Sequence, residues 1–168
     1  SDLGCDLLTI SAHKINGPKG VGALYVREGT AIEPLQFGGG SEFGLRPGTE
    51  NVAGIVGLAA ALEQALSRMP EAVPRVSALR DRLEAGLRER IPELRVNGAN
   101  APRGCNVLNC TIPGVDGETL LLRLDARGVA ASTGAACSAG DTEPSHVLLA
   151  MGLSRELARA SLRFSLGP

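Results

Sequence analysis

An α/β fold, with helices laid on a sheet, is what this sequence predicts, and three observations carry the expectation. Short apolar runs of strand length recur along the chain. Between them lie longer stretches with apolar residues at helical spacing, and Gly or Pro stands at most of the junctions. Strands alternating with helices in this way belong to α/β or α+β domains. Hydrophobic residues make up 43% of the 168 residues but aromatic residues only 2%, so the core must be built from Ala, Leu, Val and Ile.

The elements follow in order. "CDLLTIS" is an apolar run with a polar end and predicts a buried strand; "GVGALYVR", after the punctuation of "NGPKG", predicts a second. Residues 29–49 hold too many glycines, with Pro34 and Pro47, for a helix interior, and predict a long ordered or ligand-cradling loop. From Glu50 to Met69 apolar residues fall at helical spacing, with Thr49 in the N-cap place. "MPEAVP" is expected to end that helix, because Pro removes a backbone donor and clashes with the preceding turn. The domain boundary is therefore placed there, dividing the chain into residues 1–69 and 70–168. "PRVSALRDRLEAGLRERI" predicts an amphipathic helix, "LRVNG" and "NVLNCTIP" strands, "GETLLLRLDARG" a helix closed by Gly128, and "VAAS" a short strand. A helix from Pro144 and a last strand "SLRFSLG" complete the chain.

Composition excludes some functions. The 17 basic and 18 acidic residues leave a net charge of -1 and form no basic stripe, so nucleic acid is not an expected partner. No apolar run approaches the roughly 20 residues of a membrane span, and no signal-peptide pattern opens the chain. Cys5, Cys105, Cys110 and Cys137 lack metal-site spacing and disulfide density, which predicts free thiols and a cytoplasmic location. The chain begins on Ser, close to a strand, and reads as a fragment.

Fifteen of the basic residues are Arg; the two lysines, Lys14 and Lys19, both lie in "SAHKINGPKG" with His13. A lysine amine can form a Schiff base with an aldehyde. Lys14 follows a strand end, near a hydroxyl at Ser11 and an imidazole at His13 that could both reach a phosphate. Lys19, between Pro18 and Gly20, fits a turn facing solvent or a phosphate. By itself the tetrapeptide is equally a surface lysine at a strand end.

Five segments in order widen the reading: "DLLTISAHKINGPKGVGALYVR", "GGGSEFGLRPGTENVAGIVGLAAALE", "GVDGETLLLRLDARGVAASTGAACSAG", "EPSHVLLAMG" and "SLRFSLG". Together they resemble the cysteine desulfurases of the NifS and IscS type, in the class V aminotransferase group. The resemblance implies a fragment of the fold type I architecture of pyridoxal phosphate enzymes: the end of the large cofactor domain, then a small α+β C-terminal domain. It implies pyridoxal 5'-phosphate as cofactor, with Lys14 as its covalent attachment and Ser11 and His13 as phosphate ligands. Thr49, in "RPGT", resembles a threonine that reaches the phosphate of the partner subunit's cofactor, which implies a homodimer. Ser41 and Phe43 depart from the family, which usually shows Gln or His, and Arg.

Cys137 lies among Ala, Ser, Thr and Gly in "ASTGAACSAGDTEP", where a thiol is accessible; such a residue is either inert or a nucleophile. The resemblance assigns it the catalytic role, attacking the sulfur of L-cysteine to leave a persulfide and alanine, the sulfur passing to an acceptor or iron–sulfur scaffold protein. Arg163, flanked by Leu162 and Phe164 on a predicted strand, points opposite to its apolar neighbours and suits capture of a carboxylate. In the resemblance it holds the substrate's α-carboxylate. The family's larger N-terminal portion, with further cofactor contacts, and its final helix have no counterpart here, so this portion alone is expected to bind the cofactor weakly or not at all. The rival expectations are another enzyme of the group, an aminotransferase or selenocysteine lyase, and an inactive fragment serving interaction or sulfur carriage.

Overall fold

The computed structural model describes residues 3–133 and 143–167. The chain divides into two compact units, Ser1–Met69 and Pro70–Pro168.

In the first unit, strand β1 (Leu7–Ser11) pairs antiparallel with β2 (Gly22–Val26), from Leu7 opposite Val26 to Ser11 opposite Gly22. Gly22 is needed there: a Cβ would sit 2.5 Å from the carbonyl oxygen of Ile10. Apolar side chains occur on both faces of this ribbon, and Leu7, Leu8, Leu24 and Tyr25 are all exposed. A two-sided apolar pattern is that of strands meant to be covered on both faces.

Helix α1 (Val52–Arg90) is one continuous helix through Pro70 and Pro74, so the expected stop at "MPEAVP" does not occur. Each proline leaves one carbonyl, of Leu66 and of Pro70, without its helical donor. The two lie one turn apart, and the flanking Ala, Leu, Glu and Arg residues favour helix strongly enough to carry it past both losses. An 18-residue window of this helix reaches a mean hydropathy of 1.2 with 6% of it buried, long and apolar enough to cross a membrane by that measure. The expectation of no membrane-length apolar stretch thus does not hold by this measure, since Glu63, Gln64, Ser67 and Arg68 break the run without lowering the window average below it. Those polar residues are what an amphipathic helix carries.

The second unit is built on a three-stranded antiparallel sheet ordered β3 (Arg95–Val96), β4 (Val107–Thr111), β5 (Ser161–Ser165). Period-2 alternation sorts its faces. Leu108, Cys110 and Leu162 lie on one face, nearly or fully buried; together with Val76, Leu94, Leu148, Ala158 and Ala160 they are the buried apolar residues of the unit. Asn109, Thr111, Ser161 and Arg163 share the other face. Helix α2 (Gly117–Asp125) is capped by Asp116, whose carboxylate accepts from the Thr119 amide at 2.8 Å. Gly117 is buried, and a Cβ there would lie 2.3 Å from the Arg159 carbonyl oxygen, so only glycine permits that approach. The expected helix after Pro144 is two short ones, α3 (His146–Ala150) and α4 (Arg155–Arg159), broken at Gly152 with φ of 91°. "VAAS" forms only a bridge, Ser132 to Arg163.

Arg103 and Arg88 both donate to Glu84 of α1, at 2.8 and 3.0 Å, and Arg80 donates to the Gly104 carbonyl at 2.6 Å, tying residues 103–104 to the helix. Burial pushes the Glu84 carboxyl up, but the two guanidinium hydrogen bonds outweigh it and hold the group below its ordinary 4.5. The folded state therefore prefers the ionised form. Its stabilisation is complete above pH 4.5 and fades as pH falls through the lowered value. Glu84→Gln is expected to cost about 1–3 kcal/mol at pH 7 by urea denaturation, with the gap to wild type closing on acidification. Burial and, secondarily, the Glu84 charge push the Cys110 thiol up to about 11. Cys110 should be alkylated by iodoacetamide at pH 8 at least about tenfold more slowly than Cys5 or Cys105, which are only half-buried.

Candidate functional site

The lysine turn is built by one buried alanine. β1 ends at Ser11 in extended backbone, and Ala12–Ile15 form a single 3₁₀ turn. Ala12 is wholly buried; its amide donates to the Val21 carbonyl at 3.1 Å, and its carbonyl accepts from Gly17 at 2.8 Å. Asn16 closes the turn in the left-handed region at φ of 62°, a conformation Asn tolerates. With Ala12 anchored inward, the next two side chains, His13 and Lys14, face out and are exposed, while Ser11 is half-buried. Lys19 is exposed in the following turn.

Helix α1 fixes this turn through missing side chains. Gly54, Gly57 and Ala61 fall on one helical face. A Cβ on Gly57 would lie 2.5 Å from Cγ of Pro18, and one on Gly54 would lie 3.1 Å from Cβ of Val21. Across from them, a Cβ on Gly17 would lie 3.0 Å from Cβ of Ala12 and 3.1 Å from Cβ of Ala61. The helix backbone thus comes down onto residues 17–21, the return limb of the lysine turn. Sequence reading passed over this stripe, although its signal was present as the three- and four-residue spacing of small residues in "GIVGLAAA".

Thr49 is exposed and is not the N-cap expected of it. Asn51 takes that place: its side-chain oxygen accepts from the Gly54 amide at 3.1 Å, and its carbonyl accepts from Ile55 at 2.9 Å. Asn outranks Thr as a cap, and the turn begins at the later residue. In the loop ahead of it Arg46 donates to Gln36. The Glu50 carboxyl is lowered by its own backbone hydrogen bond and then by the hydroxyl of Ser41. Phe43 stands 97% exposed with φ of 59°.

Arg163 occupies the middle of β5, on the polar face as its alternation predicts. Its amide donates to the Ser132 carbonyl at 2.6 Å, and its carbonyl accepts from the Ser132 amide at 3.0 Å. Its Nε is buried and has no hydrogen-bond partner among the described residues. A buried charged donor without an acceptor is costly, and an anion would satisfy it. Cys137 lies outside the described residues.

The set of groups on the lysine turn suits pyridoxal phosphate. A phosphate calls for donors such as the Ser11 hydroxyl and the His13 imidazole, and an aldehyde calls for an exposed primary amine such as Lys14. All three stand on four consecutive residues. The turn belongs to the first unit and Arg163 to the second.

The close approach of α1 gives a paired prediction. Gly86 of the same helix has nothing within 4 Å of an added Cβ, so Gly86→Ala is expected to stabilise by about 0.5–1 kcal/mol through helix propensity alone. Gly57→Ala, facing Pro18, is expected to forfeit that gain and destabilise by about 1–3 kcal/mol. Thermal denaturation of the two variants checks the sign of each.

Comparison with known proteins places these features in one family. The description of the class-V aminotransferase family matches residues 1–168. Cysteine desulfurase IscS of Clostridium botulinum, strain Hall, is 52% identical over 168 residues, 99% of this chain and 42% of its own length. Cysteine desulfurase IscS of Dictyoglomus turgidum is 50% identical, again over 99% of this chain and 42% of its length. Among solved structures, a NifS-like protein of Rickettsia africae superposes with a TM-score of 0.86 at 34% identity, covering 98% of this chain and 43% of its own. SspA, solved in complex with cysteine, superposes with a TM-score of 0.71 at 36% identity, covering 99% and 45%. The chain spans about 42% of the length of these curated relatives. With its lysine turn, its glycine-faced helix and its arginine strand, the chain belongs to the class-V aminotransferase family, whose enzymes use pyridoxal phosphate on the type I fold.

Proposed function

We propose that this chain is the part of a cysteine desulfurase that carries the cofactor lysine, the substrate-binding arginine and the sulfur-accepting cysteine. The observation that carries the reading is the Ser11–His13–Lys14 turn in a chain half identical to proteins named cysteine desulfurase. The complex of SspA with cysteine supports the same substrate class.

Pyridoxal phosphate, when bound, supplies an electron sink that makes the Cα–H bond of an amino acid acidic. Ser11 and His13 would donate to its phosphate, and Lys14 would hold it covalently. The Lys14 amine would move the proton of the substrate Cα. Arg163 takes the α-carboxylate of L-cysteine, answering the unpartnered Nε. Cys137, as thiolate, attacks the substrate sulfur. The C–S bond breaks, the sulfur stays on Cys137 as a persulfide, and the carbon skeleton leaves as L-alanine after protonation. The balance is L-cysteine plus enzyme thiol giving L-alanine plus enzyme persulfide, which then passes its sulfur to an acceptor thiol or an iron–sulfur scaffold.

Residues 1–69 are read as the end of the large cofactor domain and residues 70–168 as the small domain. The two-sided apolar pattern of β1 and β2 supports a place in a larger sheet. A homodimer, in which Thr49 serves the partner's phosphate, and a cytoplasmic location belong to the same proposal; the three half-buried or buried free thiols fit a reducing compartment.

Borohydride reduction of the holoenzyme followed by peptide mapping should fix a pyridoxyl group on Lys14. Lys14→Ala should lose that adduct and at least about 100-fold in turnover. Cys137→Ser should retain the adduct but make neither persulfide nor alanine. Alanine formation that survives Cys137→Ser would favour another chemistry of the family, and no adduct at all would favour a non-catalytic chain.

A further inference from the structure

Arg163 stands among oxygen acceptors and is bonded to none of their side chains. Its opposite neighbour on β4 is Asn109. Asn109 directs its backbone to the other side, where its carbonyl accepts from Asn97 at 2.9 Å, and Arg163 directs its own to Ser132. The Asn109–Arg163 pair is therefore of the non-hydrogen-bonded type, the closer of the two antiparallel spacings, with both side chains on one face. On such a pair an amide oxygen is a potential acceptor for the guanidinium.

A chain of side-chain bonds across the same face holds that amide instead. Asn97 Nδ2 donates to Asn109 Oδ1 at 2.6 Å and to Thr111 Oγ1 at 3.0 Å. Thr111 Oγ1 lies 2.7 Å from Ser161 Oγ, and Ser161 donates to the Leu157 carbonyl at 2.8 Å. Thr111 and Ser161 are 1% and 0% exposed, so water has little access to these groups. Asn109 Oδ1 and Thr111 Oγ1 are thus engaged by Asn97, and Thr111 by Ser161, while the buried Nε of Arg163 has no acceptor among the described residues.

We infer that Asn97 is a positioning residue for Arg163: by holding the Asn109 amide oxygen toward β3 it keeps that oxygen off the guanidinium, which stays free to receive an anionic group. This rests on the reading of Arg163 as the carboxylate site. Without Asn97 the oxygen of Asn109 has lost its donor and turns to the nearest one, the arginine, which then competes with substrate.

The test is a double-variant cycle in the holoenzyme, joined to a resonance that needs no turnover. Asn97→Ala is expected to raise KM for L-cysteine about tenfold with kcat within about twofold, since a hydrogen bond to a charged group must be displaced by the carboxylate. Adding Asn109→Ala removes the competing oxygen and should return KM to within about threefold of wild type. Thr111→Val, which leaves the Asn97–Asn109 bond in place, should lower the melting temperature without moving KM. In the 15N-arginine spectrum, the Arg163 Nε–H signal, identified by its loss in Arg163→Lys, should move downfield in Asn97→Ala and return in the double variant. A double variant worse than either single one, a Thr111→Val KM rise equal to that of Asn97→Ala, or an unmoved Nε–H signal would overturn the inference. If wild type turns over no L-cysteine the desulfurase reading fails, and the resonance still decides the role of Asn97.

Discussion

The first unit depends on how closely helix α1 approaches the turn that carries Lys14. Gly54 and Gly57 on the helix face Val21 and Pro18, and Gly17 lies between Ala12 and Ala61. Backbones in such contact leave few alternative packings, because an added Cβ would meet the Pro18 ring at Gly57, Val21 and the Asn51 cap at Gly54, and Ala12 and Ala61 at Gly17. Ala12 is buried by the same approach, and its burial is what turns His13 and Lys14 outward. The turn that exposes the Lys14 amine is held by small residues whose contribution is to leave the gap open.

The second unit solves a related problem by chemistry instead of size. One face of its sheet carries the apolar residues Leu108, Cys110 and Leu162, and the opposite face carries polar residues that in water would each find a partner. Held on adjacent strands, they bond to each other, and the Arg163 Nε is left without an acceptor among the described residues. A satisfied polar network is rigid and selective, whereas a half-satisfied one is costly. The remaining donor is therefore placed where an anion would stabilise the protein as well as bind to it.

Much of the fold was legible because it rests on period and punctuation. The strands at Leu7–Ser11, Gly22–Val26, Val107–Thr111 and Ser161–Ser165 all lie in runs that alternate or are bounded by Gly and Pro. Misreadings came where one local rule met a stronger neighbour. Pro70 and Pro74 are helix breakers in isolation, yet the helix-favouring residues on either side carry the helix through them. Thr49 is a good cap, but Asn51 is a better one two residues on. The placement of the candidate residues was legible: Ser11, His13 and Lys14 stand at one turn, and the alternation that turns Arg163 from Leu162 and Phe164 holds in the pairing. The network behind Arg163 was not legible. Asn97, Asn109, Thr111 and Ser161 are separated by up to 64 positions in sequence and acquire a common face only through strand register.

The central claim is that sulfur leaves L-cysteine for a thiol of this chain. A single-turnover reaction of the holoenzyme with excess L-cysteine, without reductant or acceptor, tests it most directly by counting L-alanine and protein-bound persulfide per active site. The account predicts one L-alanine and one persulfide, the latter mapped to Cys137, with turnover then halted until a thiol acceptor is added. Continued L-alanine production with no sulfur on the protein, or pyruvate in its place, would contradict it.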